Sequence, residues 1–545
     1  MTPPPVASGI RGGGAGEQRH RRLDARLATA AFACWCATAA GVWCGAAAAW
    51  AIALAAGVGG VCAAAVARRA GHRVEPASRA TAGAGGTAWT LAAVLLAACG
   101  FAAATAVRAH AVEANPIAGL YGENAHVTVR LDADPRRIGA EAGGDHGPPR
   151  VLARGELVSV RAGGRDRAAT GAVVVFAPAD GWSGLLPGQR VGFYGRVAAP
   201  DRRDLTVAAI RARGSPSSVS APSWMQRVAA GVRSRFAELC SHTLGAREAG
   251  LVRGLVLGDT AGMSPQADQQ FTTAGLTHLT AVSGSNFALV CGLVLLAVRP
   301  LGPRPAAVLT ALTVVGFVVL VRPSPSVLRA AAMGLIGLLA LVTGRRRQAL
   351  PALGAAMLAL LAWKPALSVD AGFAMSVAAT AALVVVAPVW ADRLRGHRGA
   401  SATVQAVAVA SAAHLVTIPV VAAISGGVST VAVVANVLAA PAVAPATIAG
   451  AVAAALAGVW PWAAELTVAC AGPPAWWLVH VAEWCAGLPW ARIAVPDGAA
   501  GAVLSGAAIV GVCGWYGSRR FRWCAVVATA AAEAVWLPAH WTGFG

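Results

Sequence analysis

Apolar stretches long enough to enter a bilayer fill this chain, and one region of wholly different texture interrupts them. They lie at about 27–46, 48–67 and 87–107, and again at 275–298, 305–321, 328–343, 348–363, 370–390, 403–424, 428–457, 462–487, 498–516 and 524–540. A hydrocarbon core needs about 20 consecutive apolar residues per helical crossing. Only 12% of residues are charged, while 57% are hydrophobic and the mean hydropathy is +0.61; soluble domains carry about 25% charge. The expected fold class is therefore a polytopic α-helical membrane protein with about 10–13 transmembrane helices. The range stays wide because Pro441, Pro445, Pro461, Pro473 and Pro474 break the 428–487 stretch.

Charge placement gives an orientation. The formal charge is +20, and Lys364 is the only lysine, so arginine supplies nearly all of it. A basic chain suits a nucleic-acid partner, but cytoplasmic loops of membrane proteins collect arginine in any case. Arg19–Arg26 flank a first apolar stretch that is too long for a cleavable signal, and Arg68, Arg69, Arg73 and Arg79 separate the second and third stretches. Placing both groups inside puts residue 108 onward outside. Arg299/Arg304, Arg345–Arg347, Arg393/Arg395/Arg398 and Arg519/Arg520/Arg522 then all fall inside, and the C-terminus outside.

Residues 108–220 form the interruption, between N-terminal membrane helices (1–107) and a second membrane domain (275–545). Alternating runs at His126–Leu131, Val151–Val160, Ala172–Phe176, Arg190–Val197 and Leu205–Ala212 are separated by turn residues such as Gly143-Gly144-Asp145 and Pro187-Gly188. Five short strands with Val127, Val129 and Leu131 on one face predict a small extracytoplasmic all-β barrel of OB-like type. Its 15 Arg against 11 Asp plus Glu, with Tyr121, Phe176, Trp182, Phe193 and Tyr194, are a weak match to a single-strand platform of stacking rings and cations. Residues 221–274, with Arg227, Arg233, Arg235, Arg247 and Arg253, are predicted to be amphipathic helices at the membrane surface.

The second membrane domain opens on Gly275-Leu-Thr-His-Leu-Thr-Ala-Val-Ser-Gly-Ser-Asn-Phe287, a polar cluster leading into an apolar run. Small-residue helix packing, with Ser and Thr bonded back to their own helix, is one explanation. A broken or re-entrant segment lining a translocation path is the other, and we adopt it because unpaired polar groups in hydrocarbon cost several kcal/mol each. Gly284, between Ser283 and Ser285, is the expected break. His278 and Ser283 do not make a convincing nucleophile–base pair, since a five-residue offset spreads them and no acid orients the histidine. The eleven cysteines sit mainly in apolar segments, and no Cys/His spacing suits a metal.

Several segments together resemble the ComEC family of DNA-uptake channels in bacterial natural transformation, in the form found in high-GC Gram-positive bacteria. They are Leu255-Val-Leu-Gly-Asp259, His278-Leu-Thr-Ala-Val-Ser-Gly284, Pro325-Ser-Val-Leu-Arg-Ala330, Gly344-Arg345 and Pro365. After these come Asp370-Ala-Gly-Phe-Ala-Met-Ser376, Pro419, Gly427-Val-Ser429 and Ala435-Asn-Val-Leu-Ala-Ala-Pro441. Asn286 stands where many members have histidine. The resemblance implies passage of single-stranded DNA across the cytoplasmic membrane, and it implies a path along Arg253, Asp259, His278, Ser283, Gly284, Asn286, Arg329, Asp370, Ser376 and Asn436. It also implies as partners membrane lipids, a membrane-anchored DNA receptor, a cytoplasmic translocase, a separate nuclease and further copies of the chain. Full-length members add a metallo-β-lactamase-like domain with a His-x-His-x-Asp-His zinc motif. That motif is absent from this sequence, so neither enzyme activity nor a cofactor is expected.

Blander roles compete for some of these residues. Arg329 can snorkel at a helix mouth, or contact phosphate. Asp370 can be an N-cap. Asn436 can line a pore or simply bond between helices. His414 and His480 read as structural, and Glu465, Glu483 and Glu533 are too dispersed for a proton relay. A small-solute or lipid-precursor permease on the same scaffold is the alternative function.

Overall fold

In a computed structural model, the described residues are 26–72, 79–138, 149–344, 348–394 and 402–516. The predicted apolar segment at 524–540, with the C-terminus and the arginines at 345–347, 395 and 398, lies outside them. Three helices come first: α1 (Arg26–Cys44), α2 (Ala46–His72) and α3 (Arg79–Glu113). Small residues bring them close: a Cβ at Gly60 would lie 2.9 Å from Leu96, and one at Gly57 3.2 Å from the Cys99 sulfur. The Trp35 indole of α1 donates to the Ser368 carbonyl at 2.8 Å, which ties this group to the second membrane domain.

The β region begins directly after α3. Its main strands are β1 (Asn124–Leu131), β2 (Arg150–Ala162), β3 (Gly171–Pro178), β4 (Arg190–Ala198) and β5 (Thr206–Ala212). β1 pairs antiparallel with β2 and β4, β2 with β3, and β4 with β5, while β3 and β5 run parallel. The ring β1-β2-β3-β5-β4 thus closes on itself, the arrangement of an OB-like barrel. Val127, Val129, Leu131, Val151, Leu157, Val175, Val191, Phe193 and Ile210 fill it, and Trp182 stacks edge-on against Phe193 at 4.9 Å. The five predicted strands fall within about two residues of these; short strands at Arg136–Ile138, Arg165–Arg167 and Ser218–Val219 add to the rim.

α4 (Trp224–Thr243) keeps Trp224, Met225 and Val228 exposed, as suits a helix at the membrane surface. α5 (Ala246–Leu257) departs from the surface expectation. Its residues from Ala249 to Leu257 are buried apart from Arg253, and they form the centre of the main core. The reason is close packing. A Cβ at Gly250 would meet the Gly262 carbonyl oxygen at 2.8 Å, and one at Gly254 the Thr280 carbonyl oxygen at 2.6 Å. α6 (Pro265–Thr273) follows.

The remaining helices are α7 (Gly284–Val298), α8 (Pro303–Val321), α9 (Pro325–Val342), α10 (Ala349–Trp363), α11 (Ala371–Leu394), α12 (Ala402–Ser425), α13 (Ala432–Leu456), α14 (Pro461–Ala486) and α15 (Gly498–Tyr516). A two-stranded ribbon, β6 (Gly427–Ser429) with β7 (Arg492–Ala494), joins the ends of α12 and α14. Among the described residues, nine helical stretches are long and apolar enough to cross a membrane. The chain is a polytopic helical membrane protein carrying a small β barrel.

Candidate functional site

The barrel rests on one end of the helical bundle. Asp134, just past β1, accepts from Arg322 at 2.8 Å, and Arg322 lies in the turn between α8 and α9. Arg203, after β4, lies over the Trp43 ring near the end of α1. The helices that begin at this end bear or are capped by Ser283, Gly284, Asn286, Arg329, Asp370, Ser376 and Asn436 of the predicted site residues. α9 starts beside Arg322; α11 starts beside α9, with a Cβ at Gly372 lying 3.8 Å from Pro325. α7 starts beside α9, and α13 starts against the loop that precedes α7, where Gly275 touches Ala432. Helix N-termini carry about half a positive charge each, felt within the first turn, so an anion is favoured where it lies directly against one of these four starts; α1, α8, α10 and α12 end on the same side and offset that charge over the bundle end as a whole.

The segment from Gly275 to Asn286 is not one helix. Gly275 takes a left-handed φ of +71°, a short 3-10 turn covers Thr277–Leu279, and α7 begins only at Gly284. Ser283 caps it, accepting from the Asn286 N–H at 3.2 Å, and its hydroxyl meets that of Ser285 at 2.7 Å. Asn286 is buried, its Nδ2 donating to the Leu255 carbonyl at 3.2 Å. Ser283 is thus engaged as a cap and is not bonded to His278.

Arg329 is only 7% exposed, so it does not snorkel. Its Nε donates to Ser376 Oγ at 2.8 Å, and its Nη1 lies 3.4 Å from the Met333 sulfur. Its Nη2 points at the start of α7, 2.9 Å from where a Cβ on Gly284 would sit. Among the described residues no carboxylate pairs with it. Asp370 is occupied elsewhere, capping α11 by accepting from the Phe373 N–H at 2.8 Å.

A second polar group lies on the α13 side. Asn436 Nδ2 donates to the Ala432 carbonyl at 2.8 Å and reaches the Gly275 carbonyl at 3.5 Å. The His278 ring faces that same Gly275 carbonyl and couples electrostatically to His414, whose Nε2 is 3.1 Å from the Ser429 carbonyl. His278 is exposed. The structure therefore adds His414 to the neighbourhood of the predicted residues; a lone histidine in an apolar run carries no signal of that. His480 stays apart on α14, tilted against Trp476 with centroids 4.0 Å apart and edge-on to Trp484 at 6.1 Å. Glu483 forms an ion pair with Arg247.

Arg253 and Asp259 bond to each other. Nη2 and Nε of Arg253 both reach Asp259 Oδ2, at 2.6 and 3.1 Å, across the turn where Gly258 ends α5 at φ +67°. Burial opposes the Asp259 charge, but the Arg253 hydrogen bonds and charge outweigh it and hold the carboxyl below its usual range. Beside them, Arg233 of α4 donates to the carbonyls ending α5 and α8, Leu257 at 2.7 Å and Leu320 at 3.1 Å. Sequence reasoning did not single out this clamp. Among the described residues, no group of three or more His, Cys, Asp or Glu could hold a metal ion.

Residues 255–520 match the family model described as Competence protein. Through that segment the chain belongs to the ComEC-type competence family. The match begins inside α5 and takes in His278, Ser283, Gly284, Asn286, Arg329, Asp370, Ser376 and Asn436, whereas Arg253 falls just outside it. Membership gives the chain a general role in competence and DNA uptake. No curated protein and no solved structure matches the chain.

Proposed function

We propose that this competence protein passes single-stranded DNA across the cytoplasmic membrane, admitting the strand from the side that bears the barrel. The observation that carries the reading is the seating of the barrel, through Asp134–Arg322, on the end of the bundle where α7, α9, α11 and α13 begin. The first turns of these helices and the buried Arg329 supply, on that side, groups that suit a polyanion. Orientation follows from the far side. Arg68 and Arg69 near the end of α2, Arg299 just past α7 and Arg304 in the first turn of α8 lie at the opposite end from the barrel. The positive-inside rule supports a cytoplasmic placement of that end and an extracytoplasmic barrel. A membrane-anchored DNA receptor outside and a translocase inside are the partners such a path needs.

The test is genetic. A strain lacking the gene should fail to take labelled DNA into the cytoplasm and should recover when the chain is supplied. Normal uptake without the gene, together with defective transport of a small solute or lipid precursor, would replace the DNA reading with a permease.

A further inference from the structure

A buried cation set among helix N-termini is electrostatically misplaced. Helix dipoles stabilise cations at C-termini and anions at N-termini, yet Arg329 sits in the second turn of α9 and aims Nη2 at the first residue of α7. At 7% exposure it is out of bulk water, and its protein partners are a hydroxyl and a thioether, both neutral. Buried charges are ordinarily paired, because an unpaired one costs several kcal/mol. The space it faces is lined by further unused donors. The N–H groups of Gly284 and Ser285 have no acceptor among the described residues, and the Ser283 and Ser285 hydroxyls flank them. Guanidinium, first-turn amides and hydroxyls together match the oxygens of a phosphate group.

We propose that Arg329, the first turn of α7 and the Ser283–Ser285 hydroxyl pair form an oxyanion site that holds a backbone phosphodiester of the passing strand; this rests on the DNA-passage reading above. Gly284 is part of the site because a side chain there would occupy the space between Arg329 and the amides. Ser376 is a positioning residue, since its hydroxyl holds Nε and leaves Nη2 free to face the phosphate. The site requires charge on the strand and takes no notice of the base.

The experiment uses the full chain in nanodiscs of zwitterionic lipid and measures binding of two fluorescent thymidine oligonucleotides. One has natural phosphodiester links, the other neutral methylphosphonate links. Wild type should bind the charged strand at least tenfold more tightly. Arg329→Gln should reduce that preference severalfold, and Arg329→Lys should keep part of it, the fork being lost but the charge retained. Gly284→Ala, which removes no polar group, should also weaken the preference and guards against misfolding of the arginine variants. If Arg329→Gln and Gly284→Ala discriminate as wild type does, the site is refuted while DNA passage stands. If wild type binds neither strand but retains phosphatidylglycerol in an Arg329-dependent way, the anion is a lipid headgroup and both the site's ligand and the DNA reading fail.

Discussion

A side chain on Gly284 would meet the Arg329 guanidinium tip, its Cβ lying 2.9 Å from Nη2, whereas Gly292, two turns further along α7, faces open space. Gly284→Leu should therefore insert normally and lose DNA uptake by tenfold or more, whereas Gly292→Leu should do neither. Membrane-fraction immunoblots beside an uptake assay separate the two. Arg253–Asp259 makes a different kind of prediction. The folded Asp259 carboxyl titrates below its unfolded value, so its stabilisation is complete above about pH 4. That stabilisation falls away as pH drops through the lowered folded value. Asp259→Asn should cost about 3 kcal/mol at neutral pH by stranding the arginine, and should flatten the acid limb of a thermal-stability profile. The motif residues at Gly275–Asn286, Arg329 and Asn436 were legible from their chemistry against an apolar background. The pairing of Arg253 with Asp259, the approach of His414 to His278 and the Arg233 clamp were not, because each depends on which turns the fold brings together.

Among the elements, the barrel strands were the most readable, since a half-buried strand alternates strictly and Val127, Val129 and Leu131 all point inward. The closure of β1 on β4 and the parallel pairing of β3 with β5 could not be read from alternation alone. α5 was misread for a physical reason. Twelve residues span only about 18 Å at 1.5 Å per residue, and Arg247, Glu248 and Arg253 make such a segment look like a surface helix. Its burial instead follows from Gly250 and Gly254, one turn apart, which let the backbones of Gly262 and Thr280 lie directly on it. Gly254→Val should push the Thr280 loop off α5 and displace the start of α7. The expected outcome is roughly 1–3 kcal/mol of destabilisation and lost uptake, read by thermal unfolding in detergent. An unchanged melting temperature would show that the loop does not depend on α5.

For the molecule as a whole, the account makes one end of the bundle both the barrel side and the entry side. A reporter inserted at Gly144, which lies between β1 and β2 along the sequence, should be active only in its export-dependent form; activity of a cytoplasm-only reporter there would invert the topology. The central claim concerns passage itself. The most direct measurement places the purified full chain in a planar bilayer, adds DNA on the barrel side and applies a potential that is positive on the opposite side. The field then does the work of a translocase. Single-stranded DNA should arrive in the far chamber, in quantities set by the amount of protein, and duplex of the same length should not. Small anions crossing while no strand arrives, or duplex crossing as readily as single strand, would contradict the account.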